Sequence, residues 1–374
     1  MNIRPLDTTD RRDIRRWVDF PFWLYSDTSQ WVPPLLTDER ANLDRRRNPF
    51  YQHSDAQFFI AEEGGRIIGR IAVMHNTRYT SRPGERPALF GLFEVIEDIH
   101  VARGLFAAAF EWASRRGLDT MVGPKGLIVS GSGGALVEGF EYRPALMIPY
   151  NPPYYDAFIT DSGFEKWHDN LSGYIRRKAE HQLPERVVQI AERVMERSGF
   201  WIKTFKTIPE LWEWVPRIGD LQRISFSGGE DTYDMTEAEV LSFADGLKAI
   251  AEPHLIKVVM KGEEPIGFLM AYPDVSAGLQ KARGRLFPFG WWHILRDKKH
   301  TDWVNVNGVG ILPQHQGRGA NAVLYTELGK TLMNERFNHA DTVQIGEDNY
   351  RSFADNTALG VQWYKRHRLY RRNL

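Results

Sequence analysis

The chain has 374 residues, of which 42% are apolar, with 48 Lys and Arg against 48 Asp and Glu and no Cys. That length is too great for one compact core and predicts two domains, and the neutral net charge argues against a nucleic-acid partner. The lack of Cys excludes disulfides, thiolate catalysis and Cys-ligated metal.

The polar N-terminus begins the first half of the chain. No apolar signal-peptide core follows Met1 and no apolar run reaches membrane-spanning length, so we expect a cytoplasmic protein without a membrane partner. After a mostly helical segment at 1–50, the pattern predicts a hairpin, a strand and a helix. These elements are Gln57–Ala61, Arg66–Val73, Phe90–Ile99 and Gly104–Arg116. A Gly/Ser-rich loop at 124–134 and the segment Tyr150–Tyr155 follow, and both could belong to an acceptor site.

A second hairpin in the other half resembles the first. Its strands are Leu255–Met260 and Pro265–Tyr272. Gly69 and Gly267 occupy the same place after the two turns, 198 residues apart, and the order strand, helix, strand follows each hairpin. This predicts two copies of one fold, at 1–180 and 181–374, with a chance likeness of short hairpins as the alternative. The aromatic insertion at 276–300 is either a lid over a cleft or a segment packed on the core.

The strongest local signal is a glycine turn between a strand and a helix. Asp302–Leu312 is the expected strand, Pro313 ends it, and Gln316–Asn321 forms the turn before an amphipathic helix. Free backbone N–H groups and the positive end of the helix dipole make such a turn an anion site suited to phosphate. Gly317 and Gly319 let the main chain approach a ligand closely, although glycines needed only for packing would give the same pattern.

Residues 311–321, ILPQHQGRGAN, resemble the pyrophosphate-binding motif of the GNAT N-acetyltransferase superfamily, which runs V-x-P, two variable residues and Q/R-x-x-G-x-G/A. Gln316 and Gly319 fit its first and fourth places after the variable pair, and Asn321 departs at the sixth. The resemblance implies an α/β fold with a mixed sheet, built as two tandem GNAT-like copies. It also implies that acetyl-CoA, the acyl donor, pairs through its pantetheine arm with the strand before the turn. The implied cofactor-binding residues are Ile311, Leu312, Gln316, Gly317, Arg318, Gly319, Ala320, Asn321 and Asn349.

The later segment is also similar to the family. Asn349 and residues 359–361 match its Asn and its Leu-Gly-Phe. The family's Tyr, which protonates the leaving thiolate, falls at Asn356, and an amide cannot act as a general acid. Either another donor serves, such as Tyr350 or Tyr364, or the thiolate leaves unassisted, or the chemistry has been lost.

Acyl transfer to an amine also needs a group that accepts the proton of the amine. Asp302 and Glu347 are candidates by position, and together with Tyr350 they are the expected catalytic residues. Family analogy gives the N–H of Leu312 the role of oxyanion donor. The histidines of the insertion lack ligand-like spacing, so we expect no metal site.

The first copy departs further from the motif. Its stretch at 97–106 keeps one Gly, and Leu105 and Phe106 would block close approach to a diphosphate. The resemblance therefore implies a degenerate N-terminal copy beside an acyl-CoA-binding copy. The implied protein is an acyl-CoA-dependent N-acyltransferase, most simply an N-acetyltransferase, in which a small-molecule amine or amino-acid-like acceptor attacks directly. We expect a monomer or homodimer, and the alternatives are a non-catalytic acyl-CoA sensor and an aminoacyl-tRNA-dependent transferase.

Overall fold

The computed structural model describes residues 1–127, 133–177, 183–227 and 230–374. Within these ranges the α-helices are α1 Arg11–Leu24, α2 Leu36–Leu43, α3 Ile99–Ser114, α4 Tyr155–Asp161, α5 Glu185–Ser198, α6 Ile208–Ser225, α7 Glu237–Leu247, α8 Ser276–Ala282, α9 Gly290–His300, α10 Ala320–Met333 and α11 Tyr350–Ala358. The strands in the same ranges are β1 Asn2–Pro5, β2 Asp55–Glu63, β3 Arg66–His75, β4 Tyr79–Thr80, β5 Pro87–Val95, β6 Thr120–Gly123, β7 Ala135–Glu138, β8 Glu165–Arg176, β9 Phe200–Thr204, β10 Thr232–Tyr233, β11 Lys257–Lys261, β12 Glu264–Pro273, β13 Trp303–Ile311, β14 His339–Gly346 and β15 Gln362–Asn373. Among the helices of the described ranges, none combines the length and the apolar character that a bilayer span requires.

Both halves contain the expected hairpin followed by a strand that pairs with it. Gly69 of β3 lies opposite Val95, the last residue of β5. Gly267 of β12 lies opposite Ile311, the last residue of β13. The two glycines therefore hold equivalent places, and the chain contains two copies of one fold.

In each copy, the strand after the hairpin pairs with its parallel neighbour only over its first residues. β5 pairs with β6 over Pro87–Leu89, and β13 pairs with β14 over Trp303–Val306. Beyond these points β5 and β13 bulge, with positive φ angles of 47° at Leu92 and 108° at Gly308. Because a bulge bends the strand that carries it, a V-shaped gap opens between the two parallel strands of each copy.

The two copies exchange their last strands. β15 pairs with β6 and β7 of the first copy and with β8, whereas β8 pairs with β14 of the second copy. Apart from β4 and β10, all strands of the described residues thereby join one mixed sheet of 13 strands. Strands from both sides of residue 180, where we predict the domain boundary, are therefore interleaved in one sheet.

The copies differ in the connection that precedes the helix after the splayed strand. Residues 96–98 link β5 to α3, whereas residues 312–319 link β13 to α10. α3 begins before Gly104, its expected start, because the side chain of Asp98 caps the helix by accepting a hydrogen bond from the N–H of His100 at 2.8 Å. The first copy therefore has a short capped connection where the second copy has a glycine turn.

Candidate functional site

The turn between β13 and α10 presents unpaired backbone donors. Gly317 and Gly319 adopt left-handed conformations, with φ angles of 70° and 84°, and α10 begins at Ala320 without a side-chain cap. In the described part of the chain, the N–H groups of Gly317 to Asn321 donate to no backbone or side-chain acceptor. A Cβ atom at Gly317 would meet nothing within 4 Å. The turn is therefore open to a ligand and has the geometry of an anion site at a helix N-terminus.

The end of β13 offers backbone groups to the gap that β14 leaves. The N–H of Leu312 donates to the carbonyl of Ile266 at 2.9 Å, so it is engaged in the sheet and is not available to an oxyanion, contrary to our expectation. Since backbone groups alternate in direction along an antiparallel strand, Val309 and Ile311 turn theirs toward the gap. Gln316 donates to the Ile311 carbonyl at 3.1 Å and so ties the start of the turn to the strand.

The other expected cofactor-binding residues surround the same turn. Arg318 is exposed, and Ala320 is buried beneath the turn. The side chain of Asn321 donates to Asp355 of α11, whose pKa is raised by burial. Asn349 caps α11 through a hydrogen bond that its side chain accepts at 3.2 Å. The bond from Asn321 therefore holds α11 beside the turn, and the assignment of these residues to a cofactor stays a prediction.

The three expected catalytic residues have other surroundings. The carboxylate of Asp302 lies 3.5 Å from Nε2 of His339, and 46% of the Asp302 side chain is exposed. Glu347 pairs with Lys166 at 2.9 Å. Tyr350 is 78% exposed at the start of α11. None of the three lines the cavity described below, and their catalytic roles stay predictions.

The place of the family's Tyr is filled by a buried amide with a phenol beside it. Asn356 donates to the carbonyl of Ser352 at 2.8 Å and is hydrogen-bonded to Tyr325 of α10, whose pKa burial raises. The hydroxyl of Tyr364, the other donor we considered, donates a hydrogen bond to the buried carboxylate of Asp341. A phenol therefore lies next to Asn356, but it comes from α10 rather than from α11.

A cavity of about 880 Å³ lies between the two halves. Its walls come from the N-terminal helices, the end of β5, residues 146–151, α7 and the α8–α9 insertion. They are mainly apolar, with side chains such as Trp31, Phe93, Leu146, Ile250, Leu279 and Ile294. The insertion thus packs on the core and walls the cavity at once. Tyr150, Tyr155 and the described ends of the 124–134 loop also line it, whereas residues 128–132 of that loop lie outside the described residues.

Glu94 is a carboxyl group set in this apolar wall. It follows the bulge in β5, and the hydroxyls of Tyr25 and Tyr155 donate to its Oε2 at 2.5 and 2.8 Å. Burial raises the pKa of Glu94 to about 7. Burial, followed by the charge of Glu94, also raises the pKa of both phenols well above their usual range, so they keep their protons. A carboxyl group that is half ionised near neutral pH can accept a proton.

The remaining charges of the cavity leave it an acidic balance. Arg70 pairs with Glu39 at 3.1 Å, and Lys125 pairs at 2.5 Å with an aspartate that does not line the cavity. Among the described residues, Glu94 and Asp38 also line the wall and form no salt bridge. Burial raises the pKa of Asp38 as well. Carboxylates attract an ammonium group and repel an anion, so an amine is a better ligand for this cavity than an anion is.

The segment at 143–151 lies between the cavity and the second copy's gap. Ile148 lines the cavity and packs on Val343 of β14, just beyond the point where β14 leaves β13. The side chain of Gln344 accepts from the N–H of Gly133 and donates to its carbonyl, both at 2.9 Å, and Gly133 lines the cavity. The cavity and the gap that begins at the glycine turn therefore share a wall.

Sequence reasoning missed Glu94, although one signal was available. The strand Pro87–Val95, PALFGLFEV, carries a single charged residue in an apolar run, and a charged residue in a buried strand needs an explanation. The partners could not be read from the pattern, since Tyr25 and Tyr155 lie 69 and 61 residues away in the chain.

No family model matches the chain. Among curated proteins, protein YghO of Escherichia coli strain K12 is 26% identical over 381 residues, which cover 98% of this chain and 94% of that protein. A bacterial ceramide synthase of Caulobacter vibrioides is 28% identical over 305 residues, which cover 79% of this chain and 76% of that protein. Since each match spans more than half of the chain, both likenesses extend over the two copies.

Solved structures resemble the chain over its whole length. A tandem GNAT protein from the clavulanic acid biosynthesis pathway has a TM-score of 0.56 at 14% identity, covering 100% of this chain and 98% of that one. The glucosamine N-acetyltransferase region of a fungal multi-domain β-N-acetylglucosaminidase has a TM-score of 0.58 at 14% identity and covers 99% of this chain and 38% of that one. A GNAT-type acetyltransferase from Sphaerobacter thermophilus has a TM-score of 0.50 at 12% identity over 100% of this chain and 95% of that one. The chain therefore has the tandem GNAT fold, and the expected α/β architecture is confirmed.

Proposed function

We propose that the protein is an acyl-CoA-dependent N-acyltransferase. The observation that carries the proposal is the open turn at 316–321, whose free N–H groups follow a strand that has parted from its parallel neighbour. The N–H groups of Gly317 to Asn321 would bind the diphosphate of CoA, and the backbone of Val309 and Ile311 would bind the pantetheine arm. The short connection after β5 offers no such turn, so we assign the donor to the second copy.

The acceptor we propose is an amine that carries an apolar chain. The cavity is large and mainly apolar, and its carboxyl group at Glu94 forms no salt bridge among the described residues, since Arg70, which lies opposite it on β3, pairs with Glu39. The relative named a bacterial ceramide synthase supports this choice, because a ceramide is the amide of a fatty acid with a long-chain amino alcohol. A long-chain amino alcohol is therefore the first acceptor to test.

In the proposed reaction, Glu94 accepts the proton of the ammonium group while the acceptor is bound in the cavity, and the neutral amine then reaches the thioester across the wall that the cavity shares with the gap. The pKa of about 7 leaves much of Glu94 ionised at neutral pH, and the hydroxyls of Tyr25 and Tyr155 hold its carboxylate in place. As the new C–N bond forms, the C–S bond of the thioester breaks, and the second proton lost by the amine nitrogen is transferred to the leaving thiolate. The products are an amide and free CoA.

The experiment supplies acetyl-CoA or palmitoyl-CoA with sphinganine and follows thiol release and the amide by mass spectrometry. We expect Glu94→Gln to lower kcat by roughly 100-fold or more, the usual contribution of a positioned general base. Glu111→Gln, which removes an exposed carboxylate outside the cavity, is the control and should leave kcat near that of the wild type.

Two results would contradict the proposal. If acyl-CoA binds but no acceptor amine releases thiol, the protein is a sensor, the alternative that the buried amide at Asn356 favours. If Glu94→Gln lowers kcat no more than Glu111→Gln does, Glu94 is not the proton acceptor.

A further inference from the structure

Five large apolar side chains project from the α8–α9 insertion. We name them the aromatic ridge: Phe287, Phe289, Trp291, Trp292 and Leu295. Phe287 is 80% exposed and Phe289 is 69% exposed. Contiguous exposed apolar side chains on a protein that otherwise buries its core indicate an interaction surface.

The ridge is held in place by backbone contacts. The N–H of Leu36 donates to the carbonyl of Gly284 at 2.9 Å, and the N–H of Trp291 donates to the carbonyl of Leu286 at 2.9 Å. A Cβ at Gly290 would lie 1.6 Å from the carbonyl oxygen of Arg285, so the loop closes tightly on itself. The rings are therefore presented to solvent by a packed loop.

Exposed cations surround the ridge. They are Lys281, Arg283, Arg285, Arg296 and Lys299, and within the described residues none of them forms a salt bridge. Asp297, the acidic residue of this segment, is half-buried and accepts a hydrogen bond from the N–H of Gly278 at 2.6 Å. The chain as a whole has no net charge, so this face carries a local positive excess that the rest of the molecule offsets.

The ridge borders the cavity. Trp291 and Leu295 belong both to the ridge and to the cavity lining. An apolar molecule that leaves or enters the cavity on this side would meet the ridge before it met bulk water.

We infer that the aromatic ridge docks the protein onto the surface of a lipid bilayer that contains anionic lipids. Trp and Phe side chains partition into the boundary between headgroups and acyl chains, and basic residues next to them are attracted to anionic headgroups. A second copy of the chain is a poorer occupant, because a symmetric contact between two ridges would bring the same five cations together. The inference departs from our expectation from sequence that the protein has no membrane partner, and vesicle binding decides between the two.

The test is flotation of the purified full chain with vesicles of phosphatidylcholine alone or with phosphatidylglycerol added. We expect binding to the anionic vesicles that weakens at high salt. The ridge variant Phe287→Ser with Phe289→Ser, and the charge variant Arg285→Glu with Lys299→Glu, should each lower the bound fraction by roughly tenfold.

Two control variants match these changes elsewhere on the surface. Trp201→Ser removes an exposed aromatic ring from the edge strand β9, and Arg11→Glu with Arg12→Glu reverses two exposed charges at the start of α1. Both should bind vesicles like the wild type, and circular dichroism establishes that all variants are folded.

Several outcomes would overturn the inference. Equal binding to both vesicle types, equal loss in the control variants, or no binding by the wild type would each do so. A wild-type dimer that the ridge variant converts to a monomer, without vesicle binding, would assign the ridge to a second copy. Because no substrate is present in the flotation, its result is independent of the proposed acyl transfer.

Discussion

Replacing Glu94 by Gln tests the electrostatics of the cavity without any substrate. Burial raises the pKa of Glu94 from its ordinary value of 4.5 to about 7. The shift means that the free energy of protonating Glu94 differs by about 3 kcal/mol between the folded and the unfolded chain. Since the pKa is higher in the folded state, the protonated form favours folding. This contribution is complete below the unfolded value and is lost as the pH rises through about 7.

We expect the free energy of unfolding of the wild type to fall, relative to Glu94→Gln, by about 3 kcal/mol between about pH 4 and pH 8. Gln keeps the size of the side chain and an oxygen that can accept the two tyrosine hydrogen bonds, but it cannot ionise. Denaturant titrations of both proteins across this range measure the difference. Glu111→Gln, an exposed surface change, is the control and should shift stability by about 1 kcal/mol or less at every pH. A difference between wild type and Glu94→Gln that does not vary with pH would mean that the pKa of Glu94 is the same in the folded and the unfolded chain.

Two further expectations concern the cavity and the exchanged strands. Gly246 lines the cavity, and a Cβ atom there would meet nothing within 4 Å. Gly246→Phe should therefore fill part of the cavity and shift the preferred acceptor or acyl chain to a shorter one, whereas Gly246→Ala should not. Activity across a series of chain lengths measures the shift. Tyr370 of β15 is 1% exposed in the core of the first copy, so Tyr370→Ala should cost roughly 3–5 kcal/mol of stability. Because the exchanged strands join both copies, unfolding should remain one transition by both fluorescence and circular dichroism, and two separate transitions would contradict the coupling.

The repeated fold could be predicted because its signals are local. The hairpins, the strand before the turn and the helix after it each have a short pattern of apolar residues, and Gly69 and Gly267 mark equivalent places. The exchange of β8 and β15 could not be predicted, since both strands would fill the same place in either copy. Which copy each strand joins depends on which edge of the sheet lies beside that strand in the folded chain, and the sequence pattern does not contain this information.

In the candidate site, too, only the part that consecutive residues form could be predicted. The turn at 316–321 was predicted because consecutive residues with two glycines form it, although Gly319 also has a packing reason: its Cβ would lie 2.7 Å from Val194 of α5. The cavity was not predicted because its walls come from distant segments of both halves. Asp302 and Glu347 were chosen by position along the chain, whereas the raised pKa of Glu94 depends on burial that only the fold produces.

If the turn at Gly317 binds the diphosphate of acyl-CoA, a negative charge placed there must weaken binding, and calorimetric titration of a matched pair of variants measures this. Asn and Asp have the same shape and both tolerate the left-handed conformation of Gly317, but only Asp adds a negative charge to the site. We expect wild type and Gly317→Asn to bind acetyl-CoA or palmitoyl-CoA with similar Kd, and Gly317→Asp to bind roughly 10- to 100-fold more weakly, as about 1–3 kcal/mol of repulsion requires. Equal binding by Gly317→Asn and Gly317→Asp, or no binding of either acyl-CoA by the wild type, would mean that the turn is not the diphosphate site.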